Sequence, residues 1–273
     1  MHDSEKMNLF YFMATQSPFI KSKCKKTITI TYGEVCENHA GMQKIGKLAD
    51  HGISILNLKA IQQHFHDLKY VTELIDLVEA GGITPVESLD AMILIVRGGV
   101  QAFCNADELY EEQCNLPQDT QAKMRGRVVS KHARYNLCFG DYAQNPEYQL
   151  GKGRIIAFNT VSCTERVRNA LHKLIPQSIT LQAEGNYYFD VSRCGIGYHG
   201  DSERKIVIAV RLGDDMPLHY FWYHNCERQG KRISMILHHG DMYFMSEKAT
   251  GFDWKKRSIY TLRHAAGCSK YTD

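Results

Sequence analysis

A histidine and an aspartate two residues apart, in Tyr198-His199-Gly200-Asp201, have types and a spacing that could do chemistry. Side chains alternate between the faces of an extended strand, so on one strand His199 and Asp201 point the same way. An imidazole beside a carboxylate supplies two legs of the two-histidine, one-carboxylate set that holds non-haem Fe(II). With 13 His in the chain, such a pair also arises by chance, and its weight depends on its neighbours. Two further spacings add to it. Arg257 and Arg263 are an even number apart and on one strand would share a face, where a guanidinium fork can grip carboxylates bidentately. Asn186 and Tyr188, two apart, likewise share a face.

A second group of residues suits a polyanion. From Gln121 to Phe139 the cations Lys123, Arg125, Arg127, Lys131 and Arg134 occur with no acidic residue among them, and Tyr135, Asn136 and Phe139 follow. Cations interleaved with aromatics fit a phosphate backbone and a stacked base, and Arg127, Lys131, Arg134 and Tyr135 are the candidate contacts. The alternative is a solvated positive face, which is the reading for Lys21 to Lys26. His64-Phe65-His66 has no carboxylate or thiol at a telling distance. His39, near Glu34, is most simply part of a polar turn.

Periodicity outlines the elements that must position these groups. Thr27-Ile-Thr-Ile-Thr-Tyr32 alternates as a strand does, and Ile53 to Leu58 reads as extended. Met42, Ile45 and Leu48 fall at helical spacing; Val71, Leu74, Ile75 and Val78 trace a helix that Gly81-Gly82 stops. Thr84-Pro85-Val86-Glu87 reads as a capping box leading into Leu89 to Val96, where helix is preferred over buried strand. Ser162-Cys-Thr-Glu165 is a second capping box, opening a helix with Val167, Ala170, Leu171 and Leu174 on one face. Arg154 to Phe158 is a strand before that helix. Beyond it lie short strands at 186–189, 205–212, 219–223, 232–237, 242–245 and 258–262, the pattern of a barrel or jelly roll.

Composition bounds the class. The 273 residues suffice for one large domain or two modest ones. An apolar fraction of 44% and a charged fraction of 23% describe a soluble globular protein. A net charge of +3 does not by itself imply nucleic acid. No run approaches a membrane span, and no secretory leader is expected. Nine scattered Cys without a C-x-x-C pattern fit reduced thiols in a cytoplasmic or nuclear setting. A monomer is expected.

Taken in order, Gly185-Asn186-Tyr187-Tyr188, Tyr198-His199-Gly200-Asp201, His239-Gly240-Asp241-Met242 and Arg257-Ser-Ile-Tyr-Thr-Leu-Arg263 resemble the AlkB family of Fe(II)- and 2-oxoglutarate-dependent dioxygenases. The resemblance covers residues 120–268. It implies an α+β chain with a double-stranded β-helix (jelly-roll) core and flanking helices at 116–273, preceded by an N-terminal α/β extension at 1–115. It further implies that His199 and Asp201 bind iron, and that Asn186, Tyr188, Arg257 and Arg263 bind 2-oxoglutarate. The chemistry implied is O2-dependent hydroxylation of a C–H bond, usually of an N-methyl group on a nucleobase, with succinate and CO2 released. Nucleic acid is then the favoured partner. One departure matters. The family's second iron histidine lies in a loop that corresponds here to Gly251–Lys256, which holds Trp254 but no His. His264 is the leading replacement, His238 and His239 are others, and a site without a third ligand is the remaining alternative. Arg263 and His264 are adjacent, so both can face one pocket only if the strand bulges or ends there. A chain without the third ligand would be a non-catalytic AlkB-like module that binds nucleic acid or protein.

Overall fold

The computed structural model describes residues 26–85, 89–176 and 179–273. The first part contains β1 (Thr27–Gly33), β2 (Val35–Glu37), β3 (Lys44–Gly46), α1 (Ile55–Asp67), β4 (Thr72–Asp76), α2 (Leu77–Gly81) and β5 (Met92–Val96). The middle contains α3 (Ala106–Cys114), β6 (Gln121–Met124), β7 (Arg127–Ser130), β8 (Tyr135–Gly140), β9 (Ile155–Ala157) and α4 (Ser162–Leu171). The last part contains β10 (Gln182–Tyr188), β11 (Gly195–His199), β12 (Val207–Gly213), β13 (Met216–His224) and β14 (Glu227–Leu237). It ends with β15 (Met242–Met245), β16 (Thr261–Gly267) and α5 (Ser269–Thr272).

Two main sheets and a layer of helices follow from the alternation in these strands, with β2-β3 and β6-β7 as small two-stranded sheets beside them. The large sheet has the order β4-β5-β15-β12-β1-β10-β8-β9, and the smaller one β11-β16-β13-β14. In β1, Ile28, Ile30 and Tyr32 face the helices and pack with Leu58, Phe65, Leu109 and Val167. Thr27, Thr29 and Thr31 face the other way and are buried as well. β1 is therefore a central strand covered on both sides. Between the sheets, Leu218, Tyr220, Trp222 and Leu262 of the small sheet pack against Ile93, Ile95, Val207 and Met245. The Trp222 indole N–H donates to the Leu77 carbonyl at 2.7 Å, which satisfies the one polar atom of a fully buried ring.

Several elements differ from the sequence expectations. Ile55 begins α1 rather than an extended segment, because Ser54 and Asn57 form the reciprocal cap. The helical spacing of Met42 and Ile45 is realised in a hairpin, β2–β3. Thr72–Asp76 is a strand, with helix confined to the five residues before the left-handed Gly82. Met92–Val96 is a buried strand between β4 and β15 rather than a helix, since both its faces are covered. Val86 and Glu87 of the expected capping box lie outside the described residues, as does Lys21–Lys25. Helix α4 forms as expected, but its first amides are capped by Glu112, whose carboxylate accepts from the Cys163 and Thr164 N–H groups. The division expected near residue 115 does not separate two units, because β1, β4 and β5 share one sheet with β10, β12 and β15. No helix among the described residues is long and apolar enough to cross a membrane, and no disulfide occurs among them.

Candidate metal centre

His199 ends β11, and the ladder between β11 and β16 slips between Ile196 and His199. Beyond the slip His199 stands opposite His264, and the two imidazole rings lie 4.4 Å apart, edge to face. Asp201 follows in the next loop, its amide bonded to the Thr250 carbonyl at 3.0 Å. Gly200 makes that approach feasible: a Cβ there would sit 2.1 Å from the carbonyl oxygen of Gly251. As a result His199 Nε2 is 3.5 Å, and His264 Nε2 3.6 Å, from Asp201 Oδ1. The ligating atoms of the three residues all lie within 4.8 Å of one another. Donors held about 2.1 Å from a common ion on one face stand about 3 Å apart, so closing on a metal needs shifts of roughly half an ångström.

The protonation states suit a cation. His199 Nδ1 lies 2.9 Å from the Gly197 carbonyl. A carbonyl can only accept, so Nδ1 carries the proton and Nε2 keeps its lone pair for a metal. Burial, with His264 beside it, holds the His199 pKa down to about 3. For Asp201 burial pulls the carboxyl upward, but Arg204 and the two imidazoles outweigh it and hold the group well below the usual carboxylate range. A neutral His199 imidazole and an ionised Asp201 carboxylate are donor states a divalent ion requires.

Arg204 braces this carboxylate. Its Nε lies 3.7 Å from Asp201 Oδ2, while Nη2 pairs with Glu184 at 2.6 Å and Glu203 at 2.9 Å. Arg204→Gln is expected to weaken metal binding roughly 10–100-fold with all three ligands retained, as loss of a group that orients a ligand does. Competition against a chelating dye measures this; an unchanged affinity would remove Arg204 from the site.

His199, Asp201 and His264 line a cavity of about 560 Å³ between the sheets. Its buried walls include Thr29, Tyr188, Arg211, Leu218 and Tyr243, and its rim includes the turn from Glu37 to Lys44, Arg134, Trp254 and Lys255. Over 256 residues the chain is 47% identical to the uncharacterized protein R156 of Acanthamoeba polyphaga mimivirus, with 92% of this chain and 99% of the viral one covered. The chain belongs to that protein's family. No family model matches the chain.

In this member of the R156 family the expected site residues separate into two groups. His199, Asp201 and His264 come together, and Asn186 and Tyr188 line the cavity beside them. The arginine pair does not. β16 stays regular against β13, so His264 and Arg263 face opposite sides. With His264 turned inward, Arg263 lies outside, over the Tyr223 ring at 3.9 Å and the Trp254 ring at 5.2 Å. Arg257 precedes β16 and is exposed. His238 and His239 pair instead with Asp215 and Asp107.

Of the four expected substrate contacts only Arg134 reaches the cavity. Lys131 is buried, with Nζ bonded to Asn38 Oδ1 at 2.7 Å and Asn136 Oδ1 at 3.0 Å, and burial lowers its pKa to about 8. It buttresses the β2–β3 hairpin rather than meeting a ligand. Tyr135 stacks on Phe189 at 4.6 Å, and Arg127 is exposed on β7. The sequence reading missed Arg204 and Arg211. Arg211 carries a signal: one guanidinium interrupts the apolar run Val207-Ile-Ala-Val-Arg-Leu212, and a buried charge needs a partner.

Proposed function

We propose that the chain is an Fe(II)- and 2-oxoglutarate-dependent oxygenase on a double-stranded β-helix, with nucleic acid as substrate. The observation that carries this reading is the His199–Asp201–His264 set lining a cavity large enough for a small molecule. Strand pairing supports the fold. The β13–β14 hairpin is the tip of a long antiparallel ribbon whose later pairs are β12 with β15, β11 with β16, and β10 with β1. Successive pairs fall alternately in the small and the large sheet, which is how a ribbon winds into a jelly roll. The last pair is closed by β1, from the beginning of the chain. In the resemblance a strand bearing arginines follows the second iron histidine. Here that place in the ribbon belongs to a strand of threonines and isoleucines, which accounts for the absence of the Arg257–Arg263 pair from the cavity.

Iron, 2-oxoglutarate and O2 supply the oxidation of a C–H bond, with succinate and CO2 released. The chain's own residues hold two imidazoles and one carboxylate close together, and the packing between the sheets keeps the buried walls from bulk water. The non-catalytic alternative rested on the missing histidine in Gly251–Lys256; the position of His264 on β16, beside His199 and Asp201, supports the catalytic reading over it. Succinate formation that requires O2 and disappears in His199→Ala is the expected result. Succinate made equally well by the variant would defeat the reading.

A groove of about 480 Å³, lined by Lys123, Arg125 and Lys152, supports nucleic acid as the substrate and shares Ala40, Gly41 and Met42 with the cavity rim. Arg125 and Gly126 both take positive φ in the two-residue β6–β7 turn, which sets Arg125 at its tip. Replacing the three cations by Gln is expected to weaken binding of a single-stranded oligonucleotide. The slope of log affinity against log salt should fall by up to about 2, near 0.7 for each phosphate contact. Succinate formed without substrate should be unchanged. Binding that keeps its strength and its salt slope would redirect the search to protein or small-molecule substrates.

A further inference from the structure

Away from the cavity, one other group of three metal-ligating side chains occurs among the described residues: Cys104, Glu108 and Cys163. Cys104 directly precedes Asn105, the N-cap of α3, and its amide donates to the Val100 carbonyl at 2.9 Å. Glu108 follows in the first turn of α3, and Cys163 stands in the first turn of α4. The Cys163 amide donates to the Glu112 carboxylate at 2.8 Å. The backbone behind both thiols is therefore fixed before any ligand arrives.

The group lies on the helix side of the large sheet. Cys104 and Cys163 are buried there with Ile30, Tyr32 and Leu109. β1 separates them from the cavity, which Thr29 and Thr31 line from its opposite face. The two sulfurs and a Glu108 carboxylate oxygen all lie within 4.8 Å of one another. Thiolates held tetrahedrally at about 2.3 Å from one ion stand about 3.8 Å apart, so closing on a metal needs shifts of about an ångström or less.

Buried thiols alone do not make a site. Cys36 and Cys138 also lie buried side by side, yet no third donor joins them among the described residues. Cys104 and Cys163 differ because Glu108 is exposed and opens the pair to solvent. Helix α3 packs against α4, and the N-terminus of each favours negative charge on the nearby sulfur. Arg166, one turn beyond Cys163, acts on Cys104 as a further cation. In the metal-free chain burial pushes the Cys104 thiol up to about 12, so a sulfur that binds an ion gives its proton to solvent.

We propose that Cys104, Glu108 and Cys163 form a second metal site, which takes Zn2+ with water in the fourth position and clasps α3 to α4. Two thiolates disfavour hard cations, and zinc accepts sulfur and oxygen donors together in a tetrahedron. The His199–Asp201–His264 set has no sulfur, so the two sites sort metals by the softness of their donors. This site does not depend on the oxygenase reading.

Co2+ is the probe, added with oxygen excluded to the reduced, metal-free full chain. A cobalt–thiolate bond gives a near-ultraviolet charge-transfer band that imidazole and carboxylate ligands do not. The wild type and His199→Ala are both expected to show the band, saturating at one sulfur-bound ion per chain, and Zn2+ should bleach it. Cys104→Ser and Cys163→Ser should lose it, and Cys226→Ser, at an exposed thiol, should keep it. Glu108 is exposed, so Glu108→Gln leaves the core intact. It should weaken Zn2+ at least about 10-fold, the lower end of what even a supporting group contributes. Zinc should also raise the melting temperature of the wild type and of His199→Ala, but not of Cys163→Ala.

No thiolate band in the folded, reduced wild type, a band that survives both cysteine substitutions, or an unchanged zinc affinity in Glu108→Gln would overturn the site. So would a Cys104–Cys163 disulfide formed in air by a chain whose reduced form binds no zinc.

Discussion

His264→Ala is expected to reduce Fe(II) affinity by more than the roughly 10–100-fold that loss of a merely supporting contact costs, and to abolish succinate formation. The effect should be large because the third ligand completes one face of the ion, and no other histidine lines the cavity near enough to replace it among the described residues. The fold should survive. The His264 ring is buried, its Nδ1 has no hydrogen-bond partner among the described residues, and Asp201, which its Nε2 faces, keeps His199 and Arg204 beside it after truncation. A stability cost of about 1–3 kcal/mol, the usual size for a buried truncation, is expected. Metal titration beside thermal melting distinguishes the two effects. The adjacent Arg263→Ala is expected to leave iron affinity unchanged, since that side chain lies on the outer face.

A chain that begins at residue 34 is expected not to fold, and nor is the 116–273 fragment. β1 pairs along its whole length with β10 on one side and through Thr27–Tyr32 with β12 on the other. Its removal cuts the large sheet in two and exposes two long edges. Ile28, Ile30 and Tyr32 are essentially fully buried, and at about 1.5–3 kcal/mol for each large apolar side chain their loss alone approaches the net stability of a typical domain, about 5–15 kcal/mol. Circular dichroism and soluble yield measure the outcome. A 116–273 fragment that is soluble and melts cooperatively would contradict this topology and restore the two-part division.

How much was legible in the sequence follows from which forces are local. The period-2 pattern of Thr27–Tyr32 and most of the strands expected after residue 180 have the expected element type, because alternation reflects a pleated backbone directly. The strand expected at 258–262 instead starts at Thr261, and β11 was not among those expected. Leu89–Val96 failed for the complementary reason: a strand covered on both faces is apolar throughout and shows no period. The pairing of β1 with β10 and β12 links residues far apart in the sequence and leaves no local trace, so the N-terminal region looked separable. His199 and Asp201 were legible from their spacing together with the motifs around them, although Asp201 lies in the loop beyond β11 rather than on one strand with His199. His264 could be named only as a candidate, since the slip in β11 that brings His199 opposite it depends on register. The arginines misled because Arg257 lies before β16, so the even spacing gives no shared strand face, and Arg263 stands on the outer face of β16. Arg211 needed the burial of its strand to be known before its isolation became visible.

The central claim is tested most directly by adding Fe(II) and 2-oxoglutarate anaerobically to the wild type and to His199→Ala, Asp201→Ala and His264→Ala. The expected result is one chelate band per chain in the wild type, saturating at one iron, and no band in any of the three variants at the same iron and 2-oxoglutarate concentrations while each remains folded. Equal bands in the wild type and the variants, or none in a folded, iron-saturated wild type, would contradict it.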